Sequence, residues 1–68
     1  MMISKIVVFG REIELPRPMN EDELTESRVI SLLRDLDPEL AREVENSEHK
    51  SRVEGDSLVI YRSSAIFG

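Results

Sequence analysis

Few side chains in this sequence have the type and spacing for chemistry. His49 is the only histidine. An imidazole works as a general base or metal ligand only with a partner inside hydrogen-bond reach, and its chain neighbours are Glu48 and Lys50 in a polar stretch. Asp35, Asp37 and Glu39 gather around an expected helix end. Calcium loops supply more oxygen ligands in a tighter pattern, with a glycine at the bend. Capping and helix-end polarity account for these three carboxylates. Glu21, Asp22 and Glu23 lie near a helix N-terminus, where negative charge is favourable by about 0.3–1 kcal/mol. The serines form no Gly-x-Ser-x-Gly turn and no Ser-His-Asp order. The three glycines are far apart, so no phosphate-cradling loop is expected. There is no cysteine, which excludes disulfides and thiolate metal sites. The expectation is a non-catalytic chain without cofactor or metal.

The remaining candidates are Ala65, Ile66, Phe67 and Gly68. They follow an apolar run, Leu58-Val59-Ile60-Tyr61, and the two serines Ser63 and Ser64. Ile66 and Phe67 either fold back on the core or extend the last strand, or they form a contact for a partner, since an exposed apolar tail on a small acidic domain is costly.

The elements that position these residues fall into three parts. Ile3 to Phe9 reads as a strand, and its run Ile6-Val7-Val8-Phe9 suggests one that is central or covered on both sides. Gly10 with Arg11 is a plausible tight turn. Glu12, Ile13, Glu14 and Leu15 alternate as a half-buried edge strand, which Pro16 and Pro18 are expected to end. Thr25 is the favoured N-cap of a helix, with Asn20 as a rival start. Leu24 and Val29 form a hydrophobic staple there. Val29, Leu32, Leu33, Leu36 and Leu40 recur at helical spacing. Asp37-Pro38 breaks the helix, and residues 38–44 read as a short second helical segment. Asn46 to Lys50 is expected to be a loop. Arg52-Val53, the turn Glu54-Gly55-Asp56 and a strand from Ser57 to Arg62 close the chain.

Sixty-eight residues make one domain, of which 40% are apolar, enough for one small core. The formal net charge of −5 argues against binding a phosphate backbone. No apolar run approaches the ~20 residues of a membrane span, and the first residues lack a signal-peptide pattern. An intracellular, cytoplasmic, soluble protein is expected, with no nucleic-acid or membrane partner.

Two resemblances follow from the residues above. Phe9-Gly10-Arg11-Glu12-Ile13-Glu14-Leu15 resembles the first hairpin of the molybdopterin synthase small subunit and its thiamine sulfur-carrier relatives. Gly55-Asp56 before Leu58-Val59-Ile60 resembles their closing motif. Those proteins are ubiquitin-like and end in a Gly-Gly tail that is adenylated and thiolated. Phe67 stands where the first of those glycines falls, so the resemblance implies a carrier role for Gly68 alone. Over more of its length the chain is similar to the PRTRC system protein C family of plasmid-associated gene clusters. The likeness rests on Glu14-Leu15-Pro16-Arg17-Pro18, Leu24-Thr25, Val29, Pro38-Glu39-Leu40, Glu54-Gly55-Asp56 and Gly68, in that order. It implies a ubiquitin-like fold.

The expected architecture is a single β-grasp, ubiquitin-like α+β domain over residues 1–62 with a tail over 63–68. Its order is β-β-α-β-β, a mixed four-stranded sheet with one main helix and the short second segment. The first and last strands should pair in parallel, with Val7 beside Val59. The expected function is a protein-interaction module contacting partners through the exposed sheet face and Ala65 to Gly68. The alternatives are a sulfur-carrier or conjugation-type protein activated at Gly68 by an adenylating enzyme, and an accessory protein of a plasmid or mobile-element cluster. The sequence leaves the oligomeric state open.

Overall fold

The two most apolar segments, at opposite ends of the sequence, form the centre of one sheet. A computed structural model describes residues 1–63. Strand β1 (Met2–Val8) and strand β2 (Arg11–Asn20) make the first hairpin. Helices α1 (Glu26–Leu36) and α2 (Pro38–Glu45) follow, then strands β3 (His49–Glu54) and β4 (Ser57–Arg62). The sheet order is β2-β1-β4-β3. β1 and β4 run parallel with Val7 opposite Val59, and both outer pairs are antiparallel. The long connection through the helices permits the parallel pair. This is the β-grasp arrangement expected of the sequence, with two helices packed on one face of a mixed four-stranded sheet.

The first turn lies one residue earlier than expected, at Phe9-Gly10. Both residues have positive φ, 49° and 87°. That combination defines the two-residue hairpin turn whose twist matches the flanking strands. Glycine takes it freely, whereas phenylalanine is strained there. The Phe9 ring is half-buried with the Arg62 guanidinium 4.2 Å from its centroid, a contact that offsets the strain.

Pro16 and Pro18 do not end β2, which continues to Asn20. The strand is an edge, and its register slips where the prolines sit. Lys5 pairs with Glu14 and Ile3 with Met19, so two positions of β1 span five of β2. Within that bulge no ladder donor is needed, which is where proline is tolerated in sheets. Leu15 and Met19, on either side of it, both reach the core.

Thr25 caps α1 as expected, its hydroxyl accepting from the Arg28 amide at 3.3 Å. The rival start is also used, since Asn20 caps a 3₁₀ turn over Glu21–Glu23. Asp37 ends α1 and caps α2 by accepting from the Leu40 amide at 3.2 Å, with Pro38 in the first turn. Val29 and Leu33 are buried and Leu32 half-buried, but Leu36 is 42% exposed. The expected stripe stops early because the break at Asp37 swings the chain. Leu40, Ala41 and Val44 of α2 then complete the layer. Across the interface they meet Ile3, Ile6, Val8, Leu58 and Ile60 from the two central strands. The expected loop at Asn46 to Lys50 is shorter than read, since β3 begins at His49.

Candidate functional site

Alternation along the strands decides what the opposite face of the sheet carries. Ile6, Val8, Leu58 and Ile60 point to the helices, so Lys5, Val7, Val59 and Tyr61 point away. The register arranges this open face in rows. Glu12, Val7, Val59 and Arg52 form one row across all four strands, and Glu14, Lys5, Ser57 and Glu54 form the next. Val7 and Val59 are half-buried neighbours at its centre, and Tyr61 is 36% exposed beside them. The Arg52 guanidinium lies over the Tyr61 ring, 5.2 Å from its centroid, and its Nε is 2.6 Å from Glu54. Acidic residues, Glu12 and Glu14, line the β2 side, while Lys50, Arg52 and Glu54 line the β3 side. The face is an apolar strip flanked by charged residues, acidic on one side and mixed on the other. The nearly continuous apolar run of β1 therefore marks a central strand and not one covered on both sides.

At one end of this face four polar groups interlock. The Ser4 hydroxyl donates to Asp56 Oδ2 at 2.6 Å, and the Ser4 amide donates to the Asp56 carbonyl at 2.9 Å. Lys5 Nζ lies 3.1 Å from Glu12 Oε2. The Ser4 hydrogen bond, reinforced by the Lys5 charge, holds the Asp56 carboxyl below its ordinary value. The hydrogen bond and charge of Glu12, then the charge of Asp56, raise the Lys5 ammonium. A carboxyl depressed in the folded state stabilises it above the unfolded value, 3.8. That contribution is lost as pH falls through the lower folded value. The Ser4→Ala variant is expected to be less stable than wild type near neutral pH and to converge on it in acid below the Asp56 range. Thermal melts of both proteins across that range check this. A gap between them that stays constant into strong acid would rule out the linkage.

His49 is the residue that the sequence placed least well. It sits in β3, not in a polar loop, with its side chain only 15% exposed. Nδ1 is 2.9 Å from the Ser47 carbonyl and Nε2 is 3.3 Å from Glu26 Oε2. A carbonyl only accepts, so Nδ1 carries the hydrogen. Nε2 then completes a charged contact with Glu26 only in the doubly protonated ring. The partner comes from α1, twenty-three positions away in sequence, and nothing local signals it. The pair bridges a slot of about 60 Å³ between α1 and β3, lined by Leu24, Val29, Ile30, Val44 and Ser51.

Two of the other acidic candidates are occupied structurally. Asp37 caps α2 and lies 3.8 Å from Arg11. Glu23 reaches Arg17 at 4.0 Å. Among the described residues no group of three or more acidic or histidine side chains is placed to hold a metal ion. Ala65, Ile66, Phe67 and Gly68 lie outside the described residues. Among the described residues no helix is long and apolar enough to cross a membrane. No protein-family model, curated protein or solved structure matches the chain.

Proposed function

We propose that this chain is a non-catalytic protein-interaction module that docks a partner protein on the open face of its sheet. The observation that carries this reading is the apolar strip of Val7, Val59 and Tyr61, left uncovered between Glu12 and Glu14 on one side and Lys50, Arg52 and Glu54 on the other. Protein interfaces concentrate their energy in a few apolar and aromatic residues at the centre of a patch, with polar groups around them. Tyr61 is of the type most enriched at such centres, and the flanking charges supply orientation.

The test is affinity capture from a lysate of the source cells with two immobilised proteins, wild type and Val59→Glu. The substituted side chain faces solvent beside Arg52 and leaves the core untouched, and an unchanged circular dichroism spectrum confirms the fold. The expected result is a protein retained by wild type and lost with Val59→Glu. Identical recoveries on both, or none above bare resin, would reject the docking surface.

A further inference from the structure

The two edges of this sheet differ. β2 is closed to pairing by its bulge, by Pro16 and Pro18, and by the charges of Glu12 and Glu14. β3 carries no proline and pairs with β4 in unbroken register over six positions. The two-residue turn at Gly55-Asp56 makes Glu54 and Ser57 a hydrogen-bonded pair, so Arg52 with Val59 and Lys50 with Tyr61 are bonded likewise. The backbone groups of His49, Ser51 and Val53 therefore aim away from the sheet. Among the described residues no other strand meets them. Directly beside this edge, on the helix side, lies the 60 Å³ slot under α1.

We propose that the β3 edge accepts an extended acidic–apolar peptide as a fifth strand. This is a surface distinct from the open face, and it deepens the interaction-module reading by naming the chemistry of a partner. Strand addition draws affinity from main-chain hydrogen bonds and specificity from pockets for alternate side chains. Here the alternation is set by the two sides of β3. A side chain of the added strand on the helix side meets the slot, whose walls are Leu24, Val29, Ile30 and Val44, so it is small and apolar. Side chains on the other side lie beside Lys50, for which no ion pair is found among the described residues, and Arg52, whose charge Glu54 shares at 2.6 Å, so the position beside Lys50 favours an acid. Glu26 at the slot mouth repels acids in the opposite register. A second copy of this chain is opposed in the register about Ser51, which sets Lys50 against Arg52, since like charges directly opposite are destabilising. In the register about Arg52 that arginine meets itself while Lys50 meets Glu54, so a dimer is the competing outcome that the experiment reads.

The experiment titrates isotopically labelled full chain with a short amide-capped peptide in which valine alternates with glutamate. Saturable amide shifts are expected at His49 to Glu54 and in the first turns of α1, with slowed hydrogen exchange at His49, Ser51 and Val53. Ser51→Pro removes an outward N–H that the sheet does not use. It is expected to fold and to weaken binding at least about tenfold. The double variant Lys50→Glu with Arg52→Glu is expected to lose the glutamate peptide and to bind one alternating valine with lysine. Equal affinity of Ser51→Pro, absence of saturation, or concentration-dependent dimerisation through β3 without peptide would each overturn the proposal. Shifts centred on Val7, Val59 and Tyr61 would also overturn it while leaving the open-face reading intact.

Discussion

Leu33→Ala is expected to lose about 2–5 kcal/mol, a large share of the chain's stability. Leu33 is fully buried, between the helical layer and the two central strands. Truncating a buried leucine costs about 2–5 kcal/mol, the transfer term plus the cavity that remains. A chain of 68 residues has roughly 3–10 kcal/mol in total at typical stability per residue. With two helices and one sheet among the described residues, few neighbours can collapse into the gap. Leu36→Ala is the matched control. That side chain is 42% exposed on the same helix, and alanine is as good a helix former. Its expected effect is within about 0.5 kcal/mol. Urea titrations followed by circular dichroism read both. A shift for Leu33→Ala of less than about 1 kcal/mol would mean that the helix does not pack as described.

Proline at Val7 is the second large effect. β1 is bonded on both sides, to β2 and to β4, so alternate backbone groups serve each neighbour. A proline there removes a ladder donor from the middle of the sheet and costs about 3 kcal/mol or more, judged by the penalty in helix interiors. The side chain itself is only half-buried, so little of the loss comes from packing. Ser51→Pro, on the free side of β3, is expected to melt within a few degrees of wild type. The contrast isolates topology from composition. If both prolines were tolerated equally, β1 would not be central; if both unfolded the chain, β3 would not be an open edge.

What was legible in the sequence was whatever a local rule controls. The apolar runs of β1 and β4 announced central strands, and the spacing from Val29 to Leu33 announced a buried helix face. Thr25, Asp37 and Pro38 marked helix boundaries by their own chemistry, and each sits where that chemistry puts it. Errors arose where a distant partner overrides a local preference. Pro16 and Pro18 read as stops because an edge strand with a bulge is a property of the sheet, not of the dipeptide. Leu36 kept the helical period but lost its cover when the chain turned at Asp37. His49 looked solvated because its neighbours are charged, yet Glu26 and the slot beside it come from the other side of the fold. An exposed sheet face is expected from the sequence, but its particular residues are not legible there, because consecutive apolar positions hide which of two faces each one serves. The β3 edge left no trace at all, since free backbone groups have no letter in the sequence.

The parallel pairing of β1 with β4 has a consequence for how the protein comes into being. Residues 5–8 find their partners at 57–60, nearly the full span of the chain. During vectorial synthesis the emerging polypeptide has its future central strand exposed on one side until residues 57–60 leave the ribosome. An isolated two-stranded hairpin is marginal in water, so β1 with β2 has little to hold it before then. Folding is deferred until β4 has emerged, and in that interval the greasy nascent strand is the species that chaperones and aggregation compete for.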